Sequence, residues 1–191
     1  MSERPILMRG PLVVATLEDR KWMTRRVVKN PYTPAIHQSD VAPLVRDCPY
    51  GGVDDRLWVR ESWARVPTTA YRASTGVQQT VNPSDPDEAA IYRAGWDRSD
   101  PGVGWKPSIH MPRWASRLAL EITTVRVERI QDISLDDMRA EGVRPDQEAS
   151  LLWRETLREN FISLWDSINA KRGYGWASNP WVWVIGYRRI V

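Results

Sequence analysis

The residues with the most chemical promise lie in RKWMTRR, residues 20–26, where Lys21 and Thr24 sit among three arginines. A threonine hydroxyl is a weak nucleophile near neutral pH and needs a base beside it. A lysine amine becomes that base only when burial or a neighbouring cation lowers its pKa. Arg25 and Arg26 are placed to be such neighbours. The spacing leaves the geometry open. In a helix, Lys21, Thr24 and Arg25 share a face; in an extended chain, Lys21 and Thr24 point to opposite sides unless a turn intervenes. The competing reading is a solvated basic patch, with Trp22 and Met23 as apolar interruptions.

Glu141 is the second candidate. It falls in the last turn of an expected helix, just before Gly142, where a carboxylate meets the negative end of the helix dipole. Such a placement tends to raise a carboxyl pKa, which suits a general acid or base; one exposed glutamate tolerating a small penalty is the alternative. WKPSIHMPRWASR, residues 105–117, interleaves Lys106, His110, Arg113 and Arg117 with Trp105, Met111 and Trp114. A stiff cationic and aromatic segment suits stacking on a base while holding phosphate. It could equally tuck its tryptophans into a core, with His110 as a satisfied core histidine. Glu61, alone on an apolar strand face, is either at a strand end or a buried acid paired to an arginine.

These residues need elements to hold them. Pro11–Leu17 reads as a short helix entered through proline. Residues 30–55, rich in Pro, Gly and Asp, read as irregular loop. RLWVRESW, residues 56–63, alternates as one strand with Leu57, Val59, Glu61 and Trp63 on one face. Residues 64–90 show little periodicity and read as a long loop or insertion, Ala89–Trp96 as a further strand and Asp97–Gly104 as a turn. RLALEITTVRVERI, residues 117–130, is the strongest strand signal, and its apolar parity reverses near Thr123–Thr124, which predicts a bulge. Ser134 caps a helix ended by Gly142. Residues 147–170 carry a helical stripe through Trp153, Leu157, Phe161, Leu164, Trp165 and Ile168, and NPWVWVIGYRRIV closes the chain as a strand. The order implies an α+β fold with a curved sheet in a single domain, 1–191, with a variable insertion at about 64–104.

Composition sets the limits. The chain has 191 residues, enough for a core without staples, and a formal charge of +3, too small by itself to require a polyanionic partner. Only four of its 27 basic residues are lysines. The arginine bias suits phosphate and stacked rings but also follows from a GC-rich genome. One cysteine excludes a disulfide framework, and with two histidines it argues against structural zinc. No metal or cofactor is expected. Neither a signal peptide nor a membrane-spanning apolar run is visible, so the expectation is a cytoplasmic protein with no membrane partner.

Taken together, ILMRGPLVVATLEDRKWMTRR, DRLWVRESW, KPSIHMPRWASR, RIQDISLDDMRAEGV and the run from FISLWDSIN to NPWVWVIGYRRI resemble the ASCH domain family of the PUA-like fold, particularly its phage and prophage members. The resemblance implies a small curved β-barrel with flanking helices around a cleft for RNA, DNA or a nucleoside. Some small ASCH proteins are amidohydrolases that remove the acetyl group from N4-acetylcytidine with a lysine and threonine in a K-x-x-T motif and a glutamate. Those positions correspond here to Lys21, Thr24 and Glu141. Arg25, Arg26, Trp22, Glu61, Lys106, His110, Arg113 and Trp114 are then the candidates for binding. Another family member is a ribonuclease and others only bind nucleic acid. A non-catalytic binding module, a ribonuclease and a structural phage role therefore stand as rival expectations. This chain departs from the small amidohydrolases in its length and in Trp22, which replaces the usual small residue after the lysine.

Overall fold

The computed structural model describes residues 1–29, 41–99 and 102–190. The terminal apolar run is its organising strand. β8 (Trp181–Arg189) lies between β7 (Ala119–Arg129) and β2 (Met23–Val27) in a five-stranded sheet of order β1-β3-β7-β8-β2, with β1 at Glu3–Leu7 and β3 at Arg56–Arg60. The β1–β3 pair is parallel and the others antiparallel. A strand in that position is covered on both faces and so reads as unbroken apolar sequence rather than as alternation. Trp181, Trp183, Ile185 and Tyr187 pack into one core, while Val182 and Val184 pack into another beneath the helices.

Among the described residues four α-helices accompany the sheet. α1 (Gly10–Leu17) starts with Pro11 in its first turn, as expected. A short helix, α2 (Ala42–Arg46), occurs where irregular loop was expected, while the stretch 30–40 of that loop lies outside the described residues. α3 (Leu135–Ala140) begins where the Ser134 hydroxyl accepts from the Asp137 N–H at 3.1 Å and ends with Gly142 at φ +85°. α4 (Trp153–Asn169) buries Leu157, Phe161 and Trp165 against the second core, each side chain stabilising the fold by about 1.5–3 kcal/mol. It starts later than residue 147 because the Ser150 hydroxyl takes the Leu152 N–H at 3.2 Å, a local turn that competes with helix.

Two strand expectations change. The expected strand 56–63 divides at Glu61–Ser62 into β3 and β4 (Trp63–Pro67), which belong to different sheets. The stretch 64–90 is not a loop: β4 pairs with β6 (Asp85–Tyr92), and β6 with β5 (Thr80–Asn82), in an antiparallel sheet. Its signal was weak because β5 is three residues long and β6 is buried only in its second half. Trp63, Ala90, Tyr92, Met111 and Ala115 form the small core of this region.

The expected bulge is present. The β7–β8 register shifts between Ile122 and Thr124, placing Thr124 opposite Gly186. The α+β class holds. Among the described residues, however, no ladder joins the edge strands β1 and β2, so the sheet is open rather than a closed barrel. It is nevertheless strongly curved: Arg26 of β2 donates through Nη2 to the Leu7 carbonyl of β1 at 2.7 Å. Among the described residues, no helix is long and apolar enough to cross a membrane, and no His, Cys, Asp or Glu cluster could hold a metal ion.

Candidate active site

Lys21 reaches its place through the turn that ends α1. Asp19 adopts φ 54°, and the N–H groups of Arg20 and Lys21 both donate to the Ala15 carbonyl, at 2.8 and 3.1 Å. The chain then lies against the end of α3: Lys21 forms an antiparallel bridge with Glu141, and the Trp22 N–H donates to the Ala140 carbonyl at 3.0 Å. Gly142 permits this contact, since a Cβ there would lie 3.1 Å from the Cβ atoms of both Ala15 and Lys21. Its left-handed φ is also one that glycine adopts without strain.

The Lys21 ammonium is wholly buried and has three acceptors. Nζ donates to Glu141 Oε2 at 2.6 Å, the Met23 carbonyl at 2.6 Å and the Glu141 carbonyl at 3.0 Å. Burial lowers the Lys21 pKa; the charge and hydrogen bond of Glu141 oppose the shift, and the nearby Arg26 and Arg25 cations reinforce it. Glu141 is gripped a second time, by Arg25 Nη1 at 3.2 Å. The helix-end carboxylate is thus held between two cations, which offset its unfavourable position on α3.

Arg25 ties this pair to a larger network. Its Nη2 donates to Asp137 Oδ2 at 2.5 Å and to Glu128 Oε1 at 2.7 Å, and Arg126 bonds to both of those carboxylates. Lys21, Arg25 and Arg126 therefore face Glu141, Asp137 and Glu128, three charges of each sign. Burial is the largest influence on Arg25 and acts to lower its pKa, but Glu141, Glu128 and Asp137 outweigh it and the net shift is upward.

Thr24 stands on β2, paired with Ile185 of β8, and is buried. It lines a cleft of about 430 Å³ together with Glu141. The volume suits a nucleoside-sized ligand. Among the described residues the Thr24 hydroxyl makes no hydrogen bond, and none joins it to Lys21 or Glu141. Leu7, Met8 and Arg9 form one side of the cleft, β2 another, and Phe161, Leu164, Trp165 and Ile168 of α4 supply an apolar wall. Lys21 lies behind Glu141 and does not line the cleft.

The other candidates are dispersed. Trp22 is half exposed and does not line the cleft, so its indole does not obstruct entry there. Arg26 does line it. Glu61 is both at a strand end and a buried paired acid, bound by Arg117 Nε and Nη2 at 2.9 and 3.0 Å. Desolvation raises the Glu61 pKa against the opposing pull of Arg117. Of residues 105–117 only Ser108 reaches the cleft. His110 is exposed on a short turn rather than in the core. Lys106 holds its ammonium 5.4 Å from the Trp63 ring centre, Trp114 packs edge-on against Trp63, and Arg113 pairs with Glu3 at 2.7 Å.

Sequence reasoning missed Glu128, Asp137 and Arg126 as partners of Arg25, and Arg9, Lys29, Tyr50 and Arg172 as cleft residues. A signal existed for the first group. Arg126 and Glu128 alternate with Val125 and Val127 along β7, so they share the strand face that the valines leave.

No family model and no curated protein matches the chain. Among solved structures it is similar to an ASCH domain from Lactobacillus crispatus JV V101. The identity is 12% and the TM-score 0.43, over 98% of this chain and 79% of that one.

Proposed function

We propose that this chain is an ASCH-type amidohydrolase that removes the acyl group from the exocyclic nitrogen of an acylated cytidine. The observation that carries the reading is the Lys21–Glu141 pair at 2.6 Å behind a cleft that Thr24 also lines. These are the three positions the family resemblance singled out, drawn from two stretches of sequence far apart.

The roles follow from what reaches the cleft. Glu141 accepts a proton from the attacking water and delivers it to the departing N4 nitrogen, so that amide and water become carboxylic acid and amine. The Thr24 hydroxyl orients that water or the acyl oxygen. Lys21, behind the carboxylate and held by three acceptors, fixes Glu141 in position.

The test is hydrolysis of N4-acetylcytidine to cytidine and acetate, followed by chromatography. Glu141→Gln and Thr24→Val should each slow turnover by about 100-fold or more while circular dichroism stays native. Full turnover in both variants would sink the assignment. The competing reading, a non-catalytic nucleic-acid module, is favoured by the fully occupied donors of Lys21 and by the cations lining the cleft. It predicts salt-sensitive RNA binding and no deacylated product.

A further inference from the structure

The cleft carries positive charge that no ion pair among the described residues neutralises. Among the described residues its one lining carboxylate, Glu141, is already held by two cations. Arg26, Lys29 and Arg172 also line it, and among the described residues none of the three is in an ion pair. Arg9 has a structural task, since its guanidinium binds Ser167 near the end of α4 at 3.0 and 3.1 Å. Elsewhere on the surface many arginines are neutralised locally, as in Arg20–Glu18, Arg113–Glu3, Arg188–Glu121 and Arg189–Asp19.

Arg26 supplies the second observation. It lies two residues after Thr24 on β2, so both side chains leave the same face of the strand, roughly 7 Å apart along it. Nη2 is used by the Leu7 carbonyl, and the guanidinium lies 5.9 Å from the Tyr50 ring centre. Its Nε is buried and, among the described residues, has no partner. A buried guanidinium N–H without an acceptor has lost its water and gained nothing in return, and such a group calls for a ligand or an ordered water. The planar fork suits a phosphate, and two further cations suit one that carries two charges.

We propose that the cleft takes its ligand as a phosphorylated nucleoside, with the base towards Thr24 and Glu141 and the phosphate on Arg26, Lys29 and Arg172. The orientation of the base rests on the amidohydrolase reading; the phosphate site rests on the cations alone. The phosphate could belong to a free nucleoside monophosphate or to a terminal residue of RNA, and the two share this chemistry.

The experiment is calorimetric titration of the full chain with cytidine, cytidine 5′-monophosphate and a short 5′-phosphorylated cytidine oligonucleotide. Cytidine 5′-monophosphate should bind at least about 10-fold tighter than cytidine, in keeping with charge-assisted contacts. Arg172→Ala and Lys29→Ala, both at exposed positions, should each move that ratio towards one. Saturation by the monophosphate at the oligonucleotide's affinity identifies the free nucleotide as the source; much tighter oligonucleotide binding with a steep salt dependence identifies RNA. Equal affinity for cytidine and its monophosphate overturns the phosphate site, as does a ratio unmoved by both variants. Acylated substrates separate the two readings. A phosphate preference without any deacylation overturns the amidohydrolase and leaves this site standing, whereas equal deacylation of nucleoside and nucleotide does the reverse.

Discussion

The Lys21 ammonium binds both the side chain and the main chain of Glu141, at 2.6 and 3.0 Å, so one cation fixes a carboxylate and the helix end that carries it. Removing one member of such a buried pair strands the other. Lys21→Met should destabilise the fold by about 3 kcal/mol, tempered because Arg25 still holds Glu141. Combining it with Glu141→Gln should cost at least about 1 kcal/mol less than the sum of the single changes. Urea denaturation of the four proteins measures this, and strict additivity would remove the coupling.

Gly186 and Thr124 face each other at the bulge, where a Cβ on Gly186 would overlap the Thr124 hydroxyl. Gly186→Ala should cost about 1–3 kcal/mol, the usual range for overpacking. Thr124→Ala should restore most of that loss, because the next atoms would be ordinary neighbours at 3.4 Å and beyond. Thermal melting of the single and double variants reads the rescue directly.

Tyr92 is buried against Thr80 and the Ala115 carbonyl, and burial pushes its pKa from 10.0 up to about 12. The folded phenol holds its proton longer than the unfolded one. Its stabilising contribution is therefore complete below pH 10 and declines as pH rises towards 12, by about 3 kcal/mol in all. Tyr92→Phe should cost about 1 kcal/mol at pH 8 and should fall off less steeply above pH 10. Parallel alkaline slopes for the two proteins would contradict this.

Trp22 is half exposed and lies outside the cleft. Trp22→Ala should change stability by no more than about 0.5 kcal/mol and leave cytidine affinity within about two-fold. A ten-fold loss of affinity, read by the same titration, would place the indole at the ligand after all.

How much of this was legible depends on the range of the signal. The Ser134 cap, the Gly142 stop and the parity reversal at Thr123–Thr124 are local rules, and each is met in the structure. β1 escaped notice because ERPIL is short and buries only Ile6 fully. The strand division at Glu61 could not be read from alternation, since Leu57, Val59, Glu61 and Trp63 are all buried despite belonging to two sheets. At the site, RKWMTRR announced the donors but left helix and strand open. Only the long-range meeting of α3 with the turn after α1 brings Glu141 to Lys21, and no periodicity encodes that contact. The cationic-aromatic segment 105–117 had the right composition for the cleft but lies mostly outside it.

The open seam between β1 and β2 has a further consequence. Exposed strand edges are templates on which a second chain can add, and soluble proteins need some means of blocking them. Here, among the described residues, the edges of β1 and β2 that no ladder pairs both border the cleft, and Arg26 occupies the Leu7 carbonyl. The same guanidinium therefore lines the cleft and keeps one acceptor of an open edge from recruiting a neighbour.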